Sequence, residues 1–209
     1  MSRSLRYTGV AAVATLWTTL LAATAVSGFD LLGDDPLSYL GSDARTAGLF
    51  TVGLGLSGLL LAAFHQFVRD RYPLAHGFSA AMLVGLVGQL VAAAVPIGGD
   101  PVVHRVHTTS ALALGVSLPL LMWRFAAGQP RGRWRRLSYA LFWAEAIACA
   151  VGVYLSARMV APVAEILPAA VFHAWVVTVT VKAAREPQSL GGSVRAPDRI
   201  GDDLRTRLA

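Results

Sequence analysis

Six apolar stretches, separated by short runs of Asp, Gly, Pro or Arg, organise the chain: Tyr7 to Gly28, Thr46 to Val68, His76 to Val95, Val106 to Ala127, Leu137 to Ala157 and Ile166 to Val181. A helix rises ~1.5 Å per residue, so ~20 apolar residues cross the ~30 Å hydrocarbon layer, and most of these stretches are close to that length. The pattern predicts an all-α, polytopic membrane bundle of about six transmembrane helices, because only structures that satisfy their own backbone groups cross lipid. The first stretch follows a basic start, as a secretory signal does. It is longer than the roughly 7 to 15 residues of a signal core and is read as a retained first helix. Residues 1–185 form one transmembrane domain, and the polar, Gly- and Pro-containing residues 186–209 are expected to be a disordered cytoplasmic tail.

Small residues mark where helices are expected to touch, since lipid is as apolar as the helices and close backbone approach has to hold them together. Gly53 with Ser57, and Gly85, Gly88 and Gly115, are the candidates, and Pro119 is expected to kink the fourth span. The run Gly53-Leu-Gly55-Leu-Ser-Gly58 spells the GxGxxG of a phosphate-cradling turn, but it lies inside a span with no strand before it. Packing is the better reading.

Composition agrees with the hydropathy pattern: 55% of the residues are hydrophobic and 14% charged, too little polar surface for a water-soluble globule of 209 residues. The net charge of +6 does not point to nucleic acid, because the basic residues flank the apolar stretches. Arg3, Arg6, Arg69, Arg71, Arg131, Arg133, Arg135, Arg136, Lys182 and Arg185 all fall on one side of six spans. Asp30, Asp34, Asp35, Asp43, Asp100 and Glu165 collect on the other. Positive charge retains loops in the cytoplasm, so both termini are expected inside. Arginine is used almost to the exclusion of lysine, which suggests a GC-rich genome and a bacterial plasma membrane. Cys149 is the only cysteine, which rules out an internal disulfide or a multi-cysteine metal site.

Candidate chemistry is concentrated in a few polar side chains. Asp100-Pro101 reads as an N-cap followed by a first helical residue, and the stripe from Asp100 through His104 and His107 would point two imidazoles one way at the outer end of the fourth span. Glu145 and His173 lie within the fifth and sixth spans, where an ionisable residue usually faces the bundle interior and finds partners. Counted from the outer ends, His107 lies roughly 3 Å deep, His173 about 10 Å and Glu145 about 18 Å. Gln89 should lie near the depth of His173 and Ser117 near that of Glu145. His65 and His76, near the inner ends, are expected to cap or snorkel. Trp134 within Arg131-Gly-Arg133-Trp134-Arg135-Arg136 suits an interfacial anchor on a positively charged inner loop.

Asp35-Pro-Leu-Ser-Tyr-Leu-Gly-Ser42 after the first span, and the proline-then-histidine approach to the fourth span from Pro96 to His107, resemble the bacterial membrane proteins grouped as "domain of unknown function 998". The chain is similar, more loosely, to the DRAM/Frag-type six-helix proteins. The resemblance covers roughly Tyr7 to Val181 and implies a six-helix architecture, with no activity or catalytic residues attached. In the third loop the chain reads Val95-Pro-Ile-Gly-Gly-Asp100, where the family pattern implies Phe-Pro-x-Asp.

These readings converge on a non-enzymatic or accessory protein of the cell membrane. Its outward-facing polar cavity, lined by His104, His107, Glu145 and His173 with Gln89 and Ser117, would serve a ligand, a lipid headgroup or a proton relay. The expected partners are the bilayer and a lipid headgroup or another membrane protein, and no cofactor is required. One alternative is a lipid hydrolase in which His104, His107 and His173 hold zinc and Glu145 is the general base. In outline it resembles the seven-helix ceramidase-type enzymes, whose paired His motifs are absent here. The other alternative is a b-type haem held by His107 and His173.

Overall fold

The computed structural model describes residues 3–97, 100–158 and 161–185. The expected tail, 186–209, lies outside the described residues. Six helices follow one another: α1 (Thr8–Ser27), α2 (Ala47–Arg71), α3 (Phe78–Ala94), α4 (Pro101–Gly128), α5 (Arg133–Ser156) and α6 (Ala161–Arg185). Single 3-10 turns occupy Arg3–Tyr7 and Leu37–Gly41. Strands are absent among the described residues.

Where helix bounds depart from the hydropathy limits, local chemistry accounts for it. Asp100 caps α4 as expected, its carboxylate accepting the amides of Val102 at 2.7 Å and Val103 at 3.1 Å. The helix therefore starts at Pro101, a turn ahead of the apolar run. It continues unbroken through Pro119 to Gly128. α3 is shorter than expected. It starts after Gly77, held at φ +88°, and stops before the extended Val95 that precedes Pro96. Its 17 residues span about 25 Å, whereas the other five helices are long and apolar enough to cross a membrane.

Each helix packs against its neighbours in sequence, and α6 returns to α1, so the six close into a ring. Many large apolar side chains point out of this ring: Val153 is 75% exposed, Val116 68% and Val52 66%. That is the surface of a membrane bundle facing lipid. Inside, Phe64 of α2, Phe125 of α4 and Trp175 of α6 meet edge to face, with ring centroids 5.3 Å apart for Phe125 and Trp175 and 6.1 Å for Phe64 and Trp175. Three alternate helices are thus joined through the middle.

Burial of apolar surface gives little drive in lipid, so close approach matters more. A Cβ on Gly53 would overlap Thr19 of α1, one on Gly85 would overlap the Ser117 hydroxyl of α4, and one on Gly152 would come 2.7 Å from the Ala164 carbonyl of α6. Gly53, Gly85 and Gly88 are the contact points that the small-residue pattern predicts. Gly115 is not: it faces open space, as does Gly55 of the GxGxxG run.

The two ends of the ring differ. Near the acidic end the turn Leu37–Gly41 packs Leu37 and Leu40 with Ala23, Phe50 and Ile166. The Leu37 amide donates to Glu165 of α6 at 3.0 Å, and the Thr46 hydroxyl to the Leu40 carbonyl at 2.7 Å. Arg45 bridges Asp43 at 3.0 Å and the Ser27 carbonyl at 3.1 Å, while the Ser42 hydroxyl bonds the Ile97 carbonyl. At the arginine-rich end, Gln129 donates to the Pro73 carbonyl at 2.9 Å and accepts from the Trp134 indole at 3.1 Å. Trp134 stacks on Tyr72, whose hydroxyl donates to the Val179 carbonyl at 3.1 Å, and Lys182 lies 4.9 Å above the indole.

Candidate functional site

The buried stripe of α5 runs Ser138, Glu145, Ala148, Gly152, a spacing of about two turns and then one. Glu145 is completely buried, and its carboxyl has few partners. Oε1 lies 3.6 Å from the Cys149 thiol one turn further on, and Oε2 has no hydrogen-bond partner. No arginine or lysine pairs with it in an ion pair among the described residues.

His173 of α6 is also buried, with Nδ1 unpartnered; its ring meets Trp17 of α1 edge-on at 5.8 Å and Phe172 at 5.6 Å. Its height relative to Glu145 follows from the antiparallel contact of Gly152 with Ala164. Two turns down α5 from Gly152 is Glu145, and two turns along α6 from Ala164 is Val171. His173 therefore sits within about 3 Å of Glu145 along the bundle axis. In direction they differ: Val171 shares the face of α6 that Ala164 turns to α5, and His173 lies about 200° further around, toward α1. The buried carboxyl and imidazole occupy different seams, the carboxyl beside Cys149 of its own helix and the ring against Trp17 of α1.

The other expected members have partners of their own. Gln89 donates to the Leu54 carbonyl of α2 at 2.9 Å, and Ser117 to the Leu114 carbonyl of its own helix at 2.7 Å. His107 is buried with Nδ1 2.7 Å from the Val95 carbonyl, so it ties the start of α4 to the end of α3. His104 is exposed. Gln89 and Phe172 border a recess with Gly85 and Leu118 whose volume is about 10 Å³, room for a single water. Among the described residues no three His, Cys, Asp or Glu side chains are placed to share a metal ion, so His104, His107 and His173 do not form a zinc set. Of the remaining histidines, His65 bonds the Ser79 hydroxyl at 3.1 Å across α2 and α3, and His76 is exposed.

The family model described as "Protein of unknown function (DUF998)" matches residues 10–182, from the first turn of α1 almost to the end of α6. The chain belongs to the DUF998 family. The match takes in all six helices, and with them Glu145, His173 and the acidic-end turn. Comparison with curated proteins and with solved structures gave no match. DUF998 membership therefore brings no assigned chemistry. Sequence reasoning did not single out Trp17, Tyr72, Gln129 or the Glu165 contact in this DUF998 chain. Each acts through a residue remote in sequence, and the Leu37–Glu165 pair is 128 residues apart.

Proposed function

We propose that this protein crosses the cell membrane six times with both termini in the cytoplasm, and that it works as a non-enzymatic membrane component through proton exchange at Glu145. Six antiparallel crossings leave every arginine-rich segment on one side, the distribution expected of cytoplasmic loops. α3, although short, supplies one of those crossings between α2 and α4.

The observation that carries the proposal is the complete burial of a carboxyl group whose Oε2 has no partner. A buried polar group without a partner costs roughly 1–3 kcal/mol, and in a helix that must cross lipid an ionisable group is a functional position by default. His173, buried in the bundle with Nδ1 lacking a hydrogen-bond partner, is the second polar group available to such exchange.

Infrared difference spectroscopy on the liposome-reconstituted protein tests this directly. A protonated-carboxyl band that is absent in Glu145→Gln, and that shifts within seconds of transfer to D2O, is expected. A band that resists exchange until the protein unfolds would make Glu145 a sealed structural group and end the proposal.

A further inference from the structure

The turn between α2 and α3 encloses a cleft of about 490 Å³, bordered by Arg69, Tyr72, Leu74, His76, Phe78 and Ser79. Three observations give it a chemical character. First, Arg69 and His76 are exposed on it, and the half-buried Arg124 of α4 reaches its rim, with Nε 3.7 Å from where a Cβ on Gly77 would stand. Secondly, the carboxylate in this stretch, Asp70, is engaged by Gln66 at 3.2 Å. Thirdly, Tyr72, Leu74 and Phe78 give the same cleft an apolar wall. The first turn of α3, which follows Gly77 and has no side-chain cap, adds partial positive charge beside the two arginines.

The neighbouring loop adds to the setting. Gln129 bonds Pro73, and Gly128 packs where a Cβ would meet the Pro73 carbonyl and the Ala75 amide at 2.6 Å. The segment carrying Arg131 and Arg133 is thereby held beside the cleft. Cations placed next to apolar rings at the end of a membrane bundle match an amphiphile with an anionic head: the cations take the phosphate and the rings take the adjoining chain.

We propose that this cleft is a binding site for the phosphate of an anionic phospholipid, with Arg69 and Arg124 as its cations and the His76 ring as a further hydrogen-bonding partner. The proposal does not depend on proton exchange at Glu145. A soluble phosphate would meet the same cations but make no use of the apolar wall.

Native mass spectrometry of the detergent-purified full chain, titrated with phosphatidylglycerol or phosphatidylcholine, tests it. The wild type is expected to retain phosphatidylglycerol preferentially, and Arg69→Gln/His76→Gln to lose that retention by roughly fivefold, the effect of about one cation at a membrane surface. Arg131→Gln/Arg133→Gln, just outside the cleft, is expected to keep it. Glycerol 3-phosphate and inorganic phosphate are expected to displace the lipid weakly. Equal loss in both double variants would mean diffuse charge attraction and overturn the site. So would equal retention of the two lipids, and displacement by inorganic phosphate as effective as by the lipid itself would make the ligand a free phosphate.

Discussion

Gln129 and Pro73, 56 residues apart, are joined by a 2.9 Å hydrogen bond from the Gln129 amide to the Pro73 carbonyl. The α2–α3 and α4–α5 connections are therefore one mechanical unit at the arginine-rich end. Gln129 is buried and also serves the Phe125 carbonyl at 3.1 Å and the Trp134 indole at 3.1 Å.

Replacing Gln129 by Leu would strand these groups. The expected cost is about 1–3 kcal/mol, read from denaturant unfolding in detergent. Unchanged stability would show that water can replace the side chain.

Glycines of the GxGxxG run divide by what they touch. Gly53→Ala drives a methyl into Thr19, a stiff β-branched neighbour, and should destabilise by about 1–3 kcal/mol. Thr19→Gly in the same chain should recover part of the loss. Gly55→Ala meets open space and should be neutral or raise stability by up to ~1 kcal/mol.

At Glu145, stability and function should separate. Glu145→Leu removes a group that has an unpartnered oxygen and should leave unfolding stability unchanged or raise it by up to ~2 kcal/mol, while abolishing the exchangeable carboxyl band. A large loss of stability would instead assign Glu145 to packing.

The acidic-end loop should depend on pH in one direction. The Arg45 side chain bonded to Asp43 holds that carboxyl below its usual range, with the Arg45 amide adding to the effect. A lowered folded-state value means that the contribution is full at neutral pH and disappears as pH falls through the carboxylate range. Protection from hydrogen exchange at the amides around Asp43 to Ala47, measured against the intrinsic rate at each pH, should be lost as pH falls through the protonation of Asp43. Asp43→Asn should show the lower protection at every pH.

Cys149 is the only cysteine, so a Cys149→Ser background allows single-site labelling. With an impermeant maleimide on intact cells, Asp34→Cys should react, and Arg131→Cys should react only after permeabilisation. The opposite pattern would invert the proposed orientation.

Helices were legible because hydropathy and capping are local. The run after Asp100-Pro101 announced α4, and the Asp100 carboxylate does cap it. Rotation around the axis was not legible. His173 faces Trp17, and a side chain's azimuth depends on neighbours contributed by other helices. Nor was the register of α5 against α6, which the close approach of Gly152 to the Ala164 carbonyl sets. The bond from Gln129 to the Pro73 carbonyl, 56 residues away, is set by tertiary structure and has no local signal.

The closure of α1 on α6 also bears on biosynthesis. Gly9, in the first turn of α1, lies against Phe64 of α2 and Val176 of α6. Of the six helices, the one that leaves the ribosome first thus has part of its seat formed by the one that leaves last. During insertion α1 can pair with α2 at once, but one flank stays bare to lipid until α6 is released. Premature truncation anywhere before Val176 would leave that flank open, a surface on which membrane quality control can act.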